Sequence, residues 1–499
     1  MEDRYVNLNP SELVKFLNKP ASEFQRDDII RYIEVHDIEM LNFRYVAEDG
    51  KLKALNFIIQ SRDHLEQILS YGERVDGSSL FSFISAGSSD LYVVPRFRTA
   101  FINPFSEIPA LEILCSFYTS DGKPLENSPE YVLKKARELF RKKTGMSFKA
   151  LGELEYYINS PRDELFRIED QKGYHSASPF SKWEHLRIEA MSLIAKAGGK
   201  IKYSHNEVGN FSNDLEDFEQ HEIEFLPTDP EEAADSIVIA KWILRMLADQ
   251  NGIELSFAPK ITVGKAGSGL HIHLLAEEEG ENVMEENGQL SNTAKRMIAG
   301  ILDISDALTA FGNTIPTSYL RLVPNQEAPT NICWGDRNRS VLIRVPLGWL
   351  GDNNMIYDAN PGESKKALFK PGKQTVEFRA PDGSANIHNL LAGLIIGALR
   401  GLLDENSLKE AEELYVDVDI HKDNDKKKKL NQLPDSCHDS ALALKKKRKV
   451  FEENGIFPSG IIDNIINKLL SFDDKNLSEK LYGKDEEIRS LVLKYIHVM

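Results

Sequence analysis

The chain has 499 residues, of which 41% are hydrophobic, and its 61 basic and 78 acidic side chains give a formal net charge of −17. This length predicts a protein of about two to four domains, since domains usually hold about 100 to 200 residues each. The excess of negative charge repels polyanions and therefore disfavours general nucleic-acid binding. An acidic protein of this kind is better suited to binding metal cations.

The cysteines and the apolar stretches indicate where such a protein resides. Cys115, Cys333 and Cys437 are too few and too scattered for a disulfide framework, which favours a reducing cytoplasm. The first residues lack the basic segment and apolar core of a secretory signal. The longest apolar stretch, 389–403, is interrupted by Arg400 and is shorter than the ~20 residues of a membrane span, so it predicts a buried helix. We therefore expect a soluble cytoplasmic protein that contacts no membrane.

The first part of the chain predicts a small domain that is rich in β-strands. A polar segment at 11–18 predicts a short helix, which ends at Lys19-Pro20. From about residue 29 to 119 the pattern changes to short runs of β-forming residues separated by Gly and Pro. The clearest runs are 40–46, 52–59 and 111–118.

A domain boundary is predicted near residue 126. Ser128 is suited to be the N-cap, and Pro129 the first residue, of an amphipathic helix. The chain is therefore divided into an N-terminal helical segment, 1–28, a strand-rich domain, 29–125, and a larger domain, 126–499. In the larger domain, helical patterns alternate with strand-like fragments. The helices are expected at 181–197, 230–250, 290–311 and 385–403.

Five short fragments of the larger domain contain carboxylates and imidazoles in the same alternating pattern. Because functional and apolar residues alternate, each fragment predicts a strand that holds its functional side chains on one face. A single Glu-x-Glu is usually a solvated strand edge, but apolar neighbours and further carboxylates favour a two-metal site that handles phosphate. The fragments are Glu153-Leu-Glu155, His205-Asn-Glu207, Gln220-His-Glu222, His271-Ile-His273 and Glu377-Phe-Arg379.

Glycine-rich and arginine-rich segments accompany these fragments. The loop 264–269 matches neither the Walker pattern nor the dinucleotide fingerprint, but it leads directly into His271-Ile-His273. There, one imidazole can bind a metal while the other reaches a phosphate or a nucleotide. Four arginines fall within 24 residues, and guanidinium groups suit bidentate recognition of carboxylate and phosphate. These arginines are Arg321, Arg337, Arg339 and Arg344.

The residues alone leave two functions open, a metal-dependent enzyme that uses ATP and a two-metal hydrolase. One further segment, 445–449, is similar to a nuclear import signal. However, the helical pattern of 441–454 favours a charged helix face for these lysines.

In this order, and together with Asp76-Gly-Ser-Ser79, the fragments resemble glutamine synthetase of the bacterial type I-like group. The resemblance extends from about residue 29 to 403. It implies an α+β fold, with a small N-terminal β-grasp domain followed by a large catalytic domain whose curved antiparallel sheet is flanked by helices. It also implies an ATP-dependent ligation of ammonia to L-glutamate, which gives L-glutamine, ADP and phosphate through a γ-glutamyl phosphate intermediate.

The resemblance also implies a role for each functional residue, with Mg²⁺ or Mn²⁺ as cofactors and ATP as co-substrate. The ligands of the metal next to glutamate would be Glu155, Glu207 and Glu222. The ligands of the metal that bridges the ATP phosphates would be Glu153, His271 and Glu377. The glutamate substrate would be surrounded by Gly267, Arg321, Glu327, Arg339 and Arg379. The nucleotide would face His273, Arg339, Arg344 and Lys373.

Two loops would complete the site by the same resemblance. Asp76 would help to bind ammonium and take its proton, with Ser79 nearby, in the active site of a neighbouring subunit. The protein would therefore be a homo-oligomer, arranged as stacked hexameric rings, with active sites shared between subunits. Glu327 would lie on a flap that closes the site, where Arg339 also acts in catalysis.

Some positions depart from the family pattern. Glu222 has competitors in the acidic segment around it, namely Glu216, Glu219 and Glu224. Ala266 stands where the family often has Asn, Leu275 where it often has Ser, and Lys373 aligns only with a one-residue gap. Two alternatives remain, a γ-glutamyl-amine ligase and a catalytically silent member of the fold. The Asp76 loop favours ammonium as substrate, and the complete set of metal ligands disfavours the silent member.

Overall fold

The computed structural model describes residues 8–498, apart from 86, 88, 324–327, 349–353, 365–372, 421 and 423–427. The described chain begins with two short helices, α1 (Glu12–Leu17) and α2 (Arg26–Val35). Ser11 caps α1, because its hydroxyl accepts a hydrogen bond from the Val14 backbone N–H. The helix predicted for 11–18 is therefore confirmed.

A six-stranded mixed sheet follows these helices. Its elements are β1 (Met40–Val46), β2 (Leu52–Ile58), helix α3 (Arg62–Tyr71), β3 (Glu73–Asp76), β4 (Asp90–Pro95), β5 (Phe101–Ile102) and β6 (Ala110–Thr119). The order is β2-β1-β6-β4-β3, with β1 and β6 parallel and β5 paired to β6. Alternate residues of β1, such as Leu41 and Phe43, are fully buried in a core that also contains Leu65 and Ile68 of α3. The strand-rich first domain is thus confirmed.

A ten-stranded sheet forms the centre of the rest of the chain. The strands in this part are β7 (Ser147–Pro161), β8 (Ile201–Asn206), β9 (Phe211–Ser212), β10 (Glu216–Phe225), β11 (Glu254–Ser256), β12 (Leu270–Glu278), β13 (Glu281–Asn282), β14 (Glu285–Glu286), β15 (Gln289–Leu290), β16 (Trp334–Asp336), β17 (Ile343–Val345) and β18 (Val376–Phe378). The order is β16-β17-β18-β12-β7-β10-β8, and β14 and β15 pair separately. The pairs are antiparallel except for β16 and β17 at one edge, which are parallel. The long strands β7, β10 and β12 therefore lie side by side at its centre.

Helices pack around this sheet. They are α4 (Pro129–Thr144), α5 (Glu184–Lys196), α6 (Pro230–Gln250), α7 (Asn292–Asp303), α8 (Ser305–Gly312), α9 (Ser318–Arg321), α10 (Asn354–Ala359), α11 (Ile387–Leu403), α12 (Ser407–Glu413), α13 (Cys437–Glu452), α14 (Ser459–Leu470), α15 (Leu477–Leu481) and α16 (Asp485–Lys494). The helices predicted for 181–197, 230–250 and 385–403 are confirmed. The single helix predicted for 290–311 is wrong, because Ile304 leaves the helical region at φ −113° and ψ 8° and divides it into α7 and α8.

The most apolar helix, α11, is buried along nearly its whole length, as its sequence predicts. It packs closely on α7, and a Cβ at Gly401 would lie 1.8 Å from the Arg296 carbonyl oxygen. Only glycine therefore permits this approach of the two helices. Among the described residues, no helix is long and apolar enough by itself to cross a membrane, and α11 with α12 meets those limits only as a pair bent by 109°.

Two local predictions have different outcomes. Ser128 lies at the N-cap position of α4, but its buried hydroxyl donates to the Leu125 carbonyl oxygen and makes no capping bond to the helix. The lysine-rich segment 445–449 lies on α13, where Lys447 pairs with Asp306 at 2.8 Å. The charged helix face predicted there is confirmed.

A cluster of ion pairs around the carboxylate of Asp235 connects the region of the first sheet to the region of the second sheet. Arg96, which follows β4, donates to both carboxylate oxygens of Asp235 on α6, at 2.8 and 2.9 Å. Arg98 donates to the same carboxylate at 3.1 Å, and His388 of α11 lies 3.7 Å from it. The region of the first sheet is thus fixed to the helices behind the second sheet.

Candidate active site

Strand register brings the carboxylates and imidazoles of the five fragments together. Glu155 of β7 pairs with Glu222 of β10, and Glu153 pairs with Glu224. On the other side of β7, Glu153 pairs with His271 of β12. Because alternate residues of a strand share a face, these side chains point to one side of the sheet. The sheet therefore assembles residues that are more than 100 positions apart.

Glu153 is at the centre of one group of ligand atoms. Its two carboxylate oxygens lie 3.0 Å from Nδ1 of His271 and 2.8 Å from Nε2 of His273. Glu377 of β18 lies 3.4 Å from Nδ1 of His271. Glu153, His273 and Glu377 each offer a ligand atom within 4.8 Å of one another. Both imidazoles are therefore near the position where only His271 was expected as a ligand.

A second group of ligand atoms forms around Glu222. His205, Glu207 and Glu222 each offer an atom within 4.8 Å of the others, and Nε2 of His205 lies 3.3 Å from Glu222. The sequence interpretation assigned no ligand role to His205, although its position two residues before Glu207 was a signal for a shared face. Glu153, Glu222 and Glu224 form a third such group.

The competing carboxylates of the acidic segment occupy different places. Glu219 points to the opposite face of β10, where it accepts hydrogen bonds from the Lys182 backbone N–H at 3.0 and 3.1 Å. Glu216, near the start of β10, accepts a hydrogen bond from Asn159 at 3.0 Å. Glu222 and Glu224 therefore are the members of this segment that reach the groups of ligand atoms.

The electrostatics of the cluster suit a cation. Burial raises the pKa of Glu222 well above its usual value, and the neighbouring carboxylates Glu153, Glu155 and Glu207 raise it further. Glu153 is different, because His273 and His271 overcome the effect of burial and hold its pKa well below the usual value. A divalent cation would replace the protons that the cluster otherwise needs, and carboxylate-rich donor sets select Mg²⁺ or Mn²⁺. The residues present thus fit such an ion.

A small pocket lies beside the groups of ligand atoms, and His271 is part of its lining. Its walls include Glu155, Gly267, Arg321 and Arg379. Lys260 also lines it, is 2% exposed, and donates to the Lys265 carbonyl oxygen at 2.5 Å. The sequence interpretation missed Lys260, because an isolated lysine before a glycine loop is not distinctive. The pocket therefore combines cationic walls with a carboxylate at its edge.

Arg321 is held rigidly at this pocket. Its guanidinium donates to the Ala380 carbonyl oxygen at 2.8 Å and lies 3.3 Å from Nε2 of His271. Gly269 allows this arrangement, since a Cβ there would lie 2.6 Å from Nη2 of Arg321 and 2.7 Å from Nε2 of His271. The glycine loop thus leads to His271 in the first group of ligand atoms and leaves room for the Arg321 guanidinium.

The other arginines surround Glu377. Arg379 donates to one oxygen of Glu377 at 3.0 Å, and Arg344 donates to the other oxygen at 2.9 Å. Arg379 also donates to the Arg339 carbonyl oxygen, while the Arg339 side chain is exposed. Lys373 is exposed shortly before β18. Arg379 and Arg344 therefore contact a candidate ligand directly, whereas Arg339 is joined to them only through its backbone carbonyl oxygen.

Two predicted residues lie apart, and one lies outside the described residues. Asp76 and Ser79 are at the end of β3 in the first sheet, where the Asp76 carboxylate accepts hydrogen bonds from Ser78 N–H at 3.0 Å and Ser79 Oγ at 2.7 Å. The serine hydrogen bonds lower the pKa of Asp76 to about 2. Glu327 falls in the segment 324–327, outside the described residues.

Comparison with known proteins gives the family. The family models of the glutamine synthetase catalytic domain and β-grasp domain match residues 126–470 and 37–120. The chain is 30% identical to the glutamine synthetase of Methanococcus maripaludis over 78% of this chain and 83% of that protein. It is 28% identical to that of Thermotoga maritima over 91% and 96% of the two chains. The chain therefore belongs to the glutamine synthetase family.

Solved structures share the fold. The structure of Plasmodium falciparum glutamine synthetase has a TM-score of 0.75 at 19% identity and covers 92% of this chain and 98% of its own. The structure of apo GmaS has a TM-score of 0.71 at 19% identity, with 90% and 96% of the two chains covered. The first sheet and its helix thus form a β-grasp domain, and the second sheet with its helices forms an α+β catalytic domain.

Proposed function

We propose that this chain catalyses the ATP-dependent ligation of ammonia to L-glutamate, which gives L-glutamine, ADP and phosphate. The observation that carries the proposal is the group of carboxylates and imidazoles on β7, β10, β12 and β18, beside a pocket with the cationic walls Arg321 and Arg379. Such a site neutralises several negative charges at once, as the approach of a carboxylate to a polyphosphate requires. Membership of the glutamine synthetase family supports the same reaction.

We propose that two divalent cations bind this cluster, Mg²⁺ or Mn²⁺. One would be held by Glu155, Glu207 and Glu222, with His205 close by. The other would be held by Glu153 and Glu377 with His271, while His273 faces the nucleotide. When bound, such cations neutralise charge on phosphate and carboxylate oxygens.

In the first step, the protein's own residues bring two anions together. Arg321 and Arg379, with Gly267, would contact the glutamate substrate at the small pocket that they line. Arg339 and Arg344 would place their guanidinium groups against the phosphates of ATP. A γ-carboxylate oxygen of glutamate then attacks the γ-phosphorus, the bond to the ADP oxygen breaks, and γ-glutamyl phosphate forms.

In the second step, ammonia attacks the acyl carbon and phosphate leaves. Asp76 would attract ammonium as a carboxylate, because its pKa of about 2 keeps it ionised at neutral pH. The same carboxylate would accept the proton that ammonium gives up as ammonia forms. Glu327 would close the site against water, which otherwise hydrolyses the acyl phosphate.

We also propose how the sites are assembled. The exposed position of Asp76, at the end of β3 and on the first sheet, suits a loop that completes the site of a neighbouring subunit. The protein would then be a homo-oligomer of stacked hexameric rings. We keep the division into 1–28, 29–125 and 126–499 as the domain proposal. The free and buried cysteines support a reducing, cytoplasmic location.

Steady-state assays test the reaction. Phosphate release from ATP should require glutamate and ammonium together, and ethylamine or putrescine should replace ammonium poorly. A strong preference for an organic amine would instead identify a γ-glutamyl-amine ligase, and glutamate-independent phosphate release would overturn the ligase proposal. Glu222→Gln should remove the activity, while Glu216→Gln on the same strand should keep it, because Glu216 lies outside the ligand groups.

Co-expression tests the shared site. Asp76→Asn and Glu222→Gln chains should each be inactive alone. Hybrid oligomers would contain some sites that have an intact Asp76 from one subunit and an intact Glu222 from the other. Partial recovery of activity on co-expression is therefore expected, and no recovery in demonstrably mixed oligomers would contradict a shared site.

A further inference from the structure

Gln220 connects a metal-ligating carboxylate to the glycine loop. It lies on β10 two residues before Glu222, on the same face, and is 1% exposed. Its Nε2 donates to Oε2 of Glu155 at 3.1 Å and to the Gly267 carbonyl oxygen at 3.0 Å. Its Oε1 accepts a hydrogen bond from the Gly209 N–H at 3.1 Å. Both the Nε2 and the Oε1 atoms of this amide therefore form hydrogen bonds.

The chemistry of a primary amide suits this position. An amide has two N–H donors and a carbonyl acceptor, whereas a carboxylate has acceptors only. The N–H of Gly209 fixes the orientation of the amide, so that the –NH₂ group faces Glu155 and Gly267. Glutamate at this position would present a carboxylate oxygen to two other acceptors. The neighbouring donor and acceptors therefore favour glutamine over glutamate at position 220.

The carboxylate of Glu155 has a second connection to the same loop. Its Oε2 also accepts a hydrogen bond from the Gly269 N–H at 2.7 Å. Glu155 is therefore joined to Gly269 directly and to Gly267 through Gln220. A displacement of this carboxylate must move the loop or break these bonds.

Other side chains hold the loop without involving a proposed metal ligand in the same bond. Tyr157 Oη donates to the Ala266 carbonyl oxygen at 2.9 Å. Lys260 donates to the Lys265 carbonyl oxygen at 2.5 Å. Tyr157 lies directly opposite Gln220 in the sheet register, so it offers a matched comparison. Removing its hydroxyl takes away the bond to the Ala266 carbonyl oxygen, while the Gln220 amide and the Glu155 carboxylate both remain.

We propose that Gln220 is a positioning residue that couples cation binding at Glu155 to the conformation of the 264–269 loop. Glu155 lies directly opposite Glu222 in the sheet register, and Glu222 and Glu207 offer ligand atoms within 4.8 Å of each other, so that a cation bound among them would draw these carboxylates together. Fixing the Glu155 carboxylate orients the Gln220 amide, which then holds the Gly267 carbonyl group. The inference rests on the proposed function, because the pocket beside Gly267 is where glutamate is proposed to bind.

Hydrogen–deuterium exchange of the full-length protein tests this coupling without any turnover. Mn²⁺ alone, in the absence of ATP and glutamate, should slow exchange in peptides covering 264–269 by about tenfold. In Gln220→Glu and Gln220→Leu, the ratio of exchange with and without saturating Mn²⁺ should fall below about twofold. In Tyr157→Phe, exchange should be faster both with and without Mn²⁺. The ratio between the two conditions should remain about tenfold. Mn²⁺ binding to each variant is measured separately by titration, so that saturation is established.

Several outcomes would overturn the inference. An unchanged Mn²⁺ effect in both Gln220 variants means that the amide does not transmit it. If Tyr157→Phe loses the Mn²⁺ effect on exchange as fully as the Gln220 variants do, then loosening the loop is enough to abolish the effect, and no specific role of Gln220 is needed. If neither Gln220 variant folds, the wild-type protein still tests the inference. If Mn²⁺ does not change exchange in its 264–269 loop, the coupling is contradicted.

Activity measurements separate this inference from the proposed function. A wild-type protein that makes no glutamine overturns the proposed function but leaves the Mn²⁺ effect on the loop to be measured. If glutamine is made, Gln220→Glu should raise the KM for glutamate about tenfold with a smaller change in kcat, because the loop positions the substrate. An unchanged KM for glutamate would contradict the positioning role.

Discussion

Substitution of Asp235 by asparagine perturbs the connection between the β-grasp domain and the catalytic domain. Asp235 is 7% exposed and accepts hydrogen bonds from Arg96 at 2.8 and 2.9 Å and from Arg98 at 3.1 Å. The asparagine keeps the size of the side chain but removes its charge. It therefore leaves the partly buried guanidinium group of Arg96 without this carboxylate as its counter-ion.

The expected loss in free energy of unfolding is about 3–5 kcal/mol, which is typical when one partner of a buried ion pair is removed. An exposed pair gives a matched comparison, because Glu66→Gln removes the partner of Arg62 at 3.0 Å on α3. That pair is an i,i+4 pair on a helix surface, where solvent screens the two charges and only a small loss is expected. The loss in free energy of unfolding should therefore be several-fold larger for Asp235→Asn than for Glu66→Gln.

The effect of Asp235 also has a definite pH dependence. The pKa of its carboxyl is lowered, since Arg96, His388 and Arg98 outweigh the effect of burial. A depressed pKa in the folded protein gives stability that is present above the unfolded pKa of about 3.9 and is lost as the pH falls below it. The difference in free energy of unfolding between wild type and Asp235→Asn should thus be constant near neutral pH and should decrease below about pH 4.

Urea denaturation followed by tryptophan fluorescence, at one fixed protein concentration, measures these free energies. The fixed concentration matters because assembly contributes to the apparent stability. A loss of less than about 1 kcal/mol for Asp235→Asn, similar to that of Glu66→Gln, would refute the reasoning. A difference that grows as the pH falls would also refute it.

Three further predictions concern the site. Glu222→Gln should weaken stabilisation by Mn²⁺: at a concentration about 100 times the wild-type Kd the stabilisation is about 2.7 kcal/mol, and a tenfold loss of affinity lowers it to about 1.4 kcal/mol, as measured by thermal unfolding with and without Mn²⁺. Gly269→Ala should lower kcat/KM at least about tenfold, because its Cβ would lie 2.6 Å from Arg321 Nη2; a normal kcat/KM would contradict this close approach. Asp76→Asn should remove ammonia-dependent turnover without changing the urea midpoint, since Asp76 is exposed; a lowered midpoint would indicate a structural role instead.

Much of the local structure follows from the sequence, because it depends on neighbouring residues. Helix α6 extends from Pro230 to Gln250 as predicted, since Pro at the first position and acidic residues in the first turn define its start. The alternating fragments form strands for the same local reason. The division at Ile304 was missed, because the apolar pattern continues through it while the backbone turns.

The sequence by itself determined the residue types of the site, the alternation that places Glu153 and Glu155 on one face, and the resemblance to the glutamine synthetase family that comparison confirms. Only the tertiary structure decided which side chains meet. It brought His205 beside Glu222, Lys260 into the pocket lined by Arg321 and Arg379, and Gln220 between a carboxylate and a loop. The physical reason is that periodicity acts over a few residues, whereas these contacts depend on the register between strands that are distant in the chain.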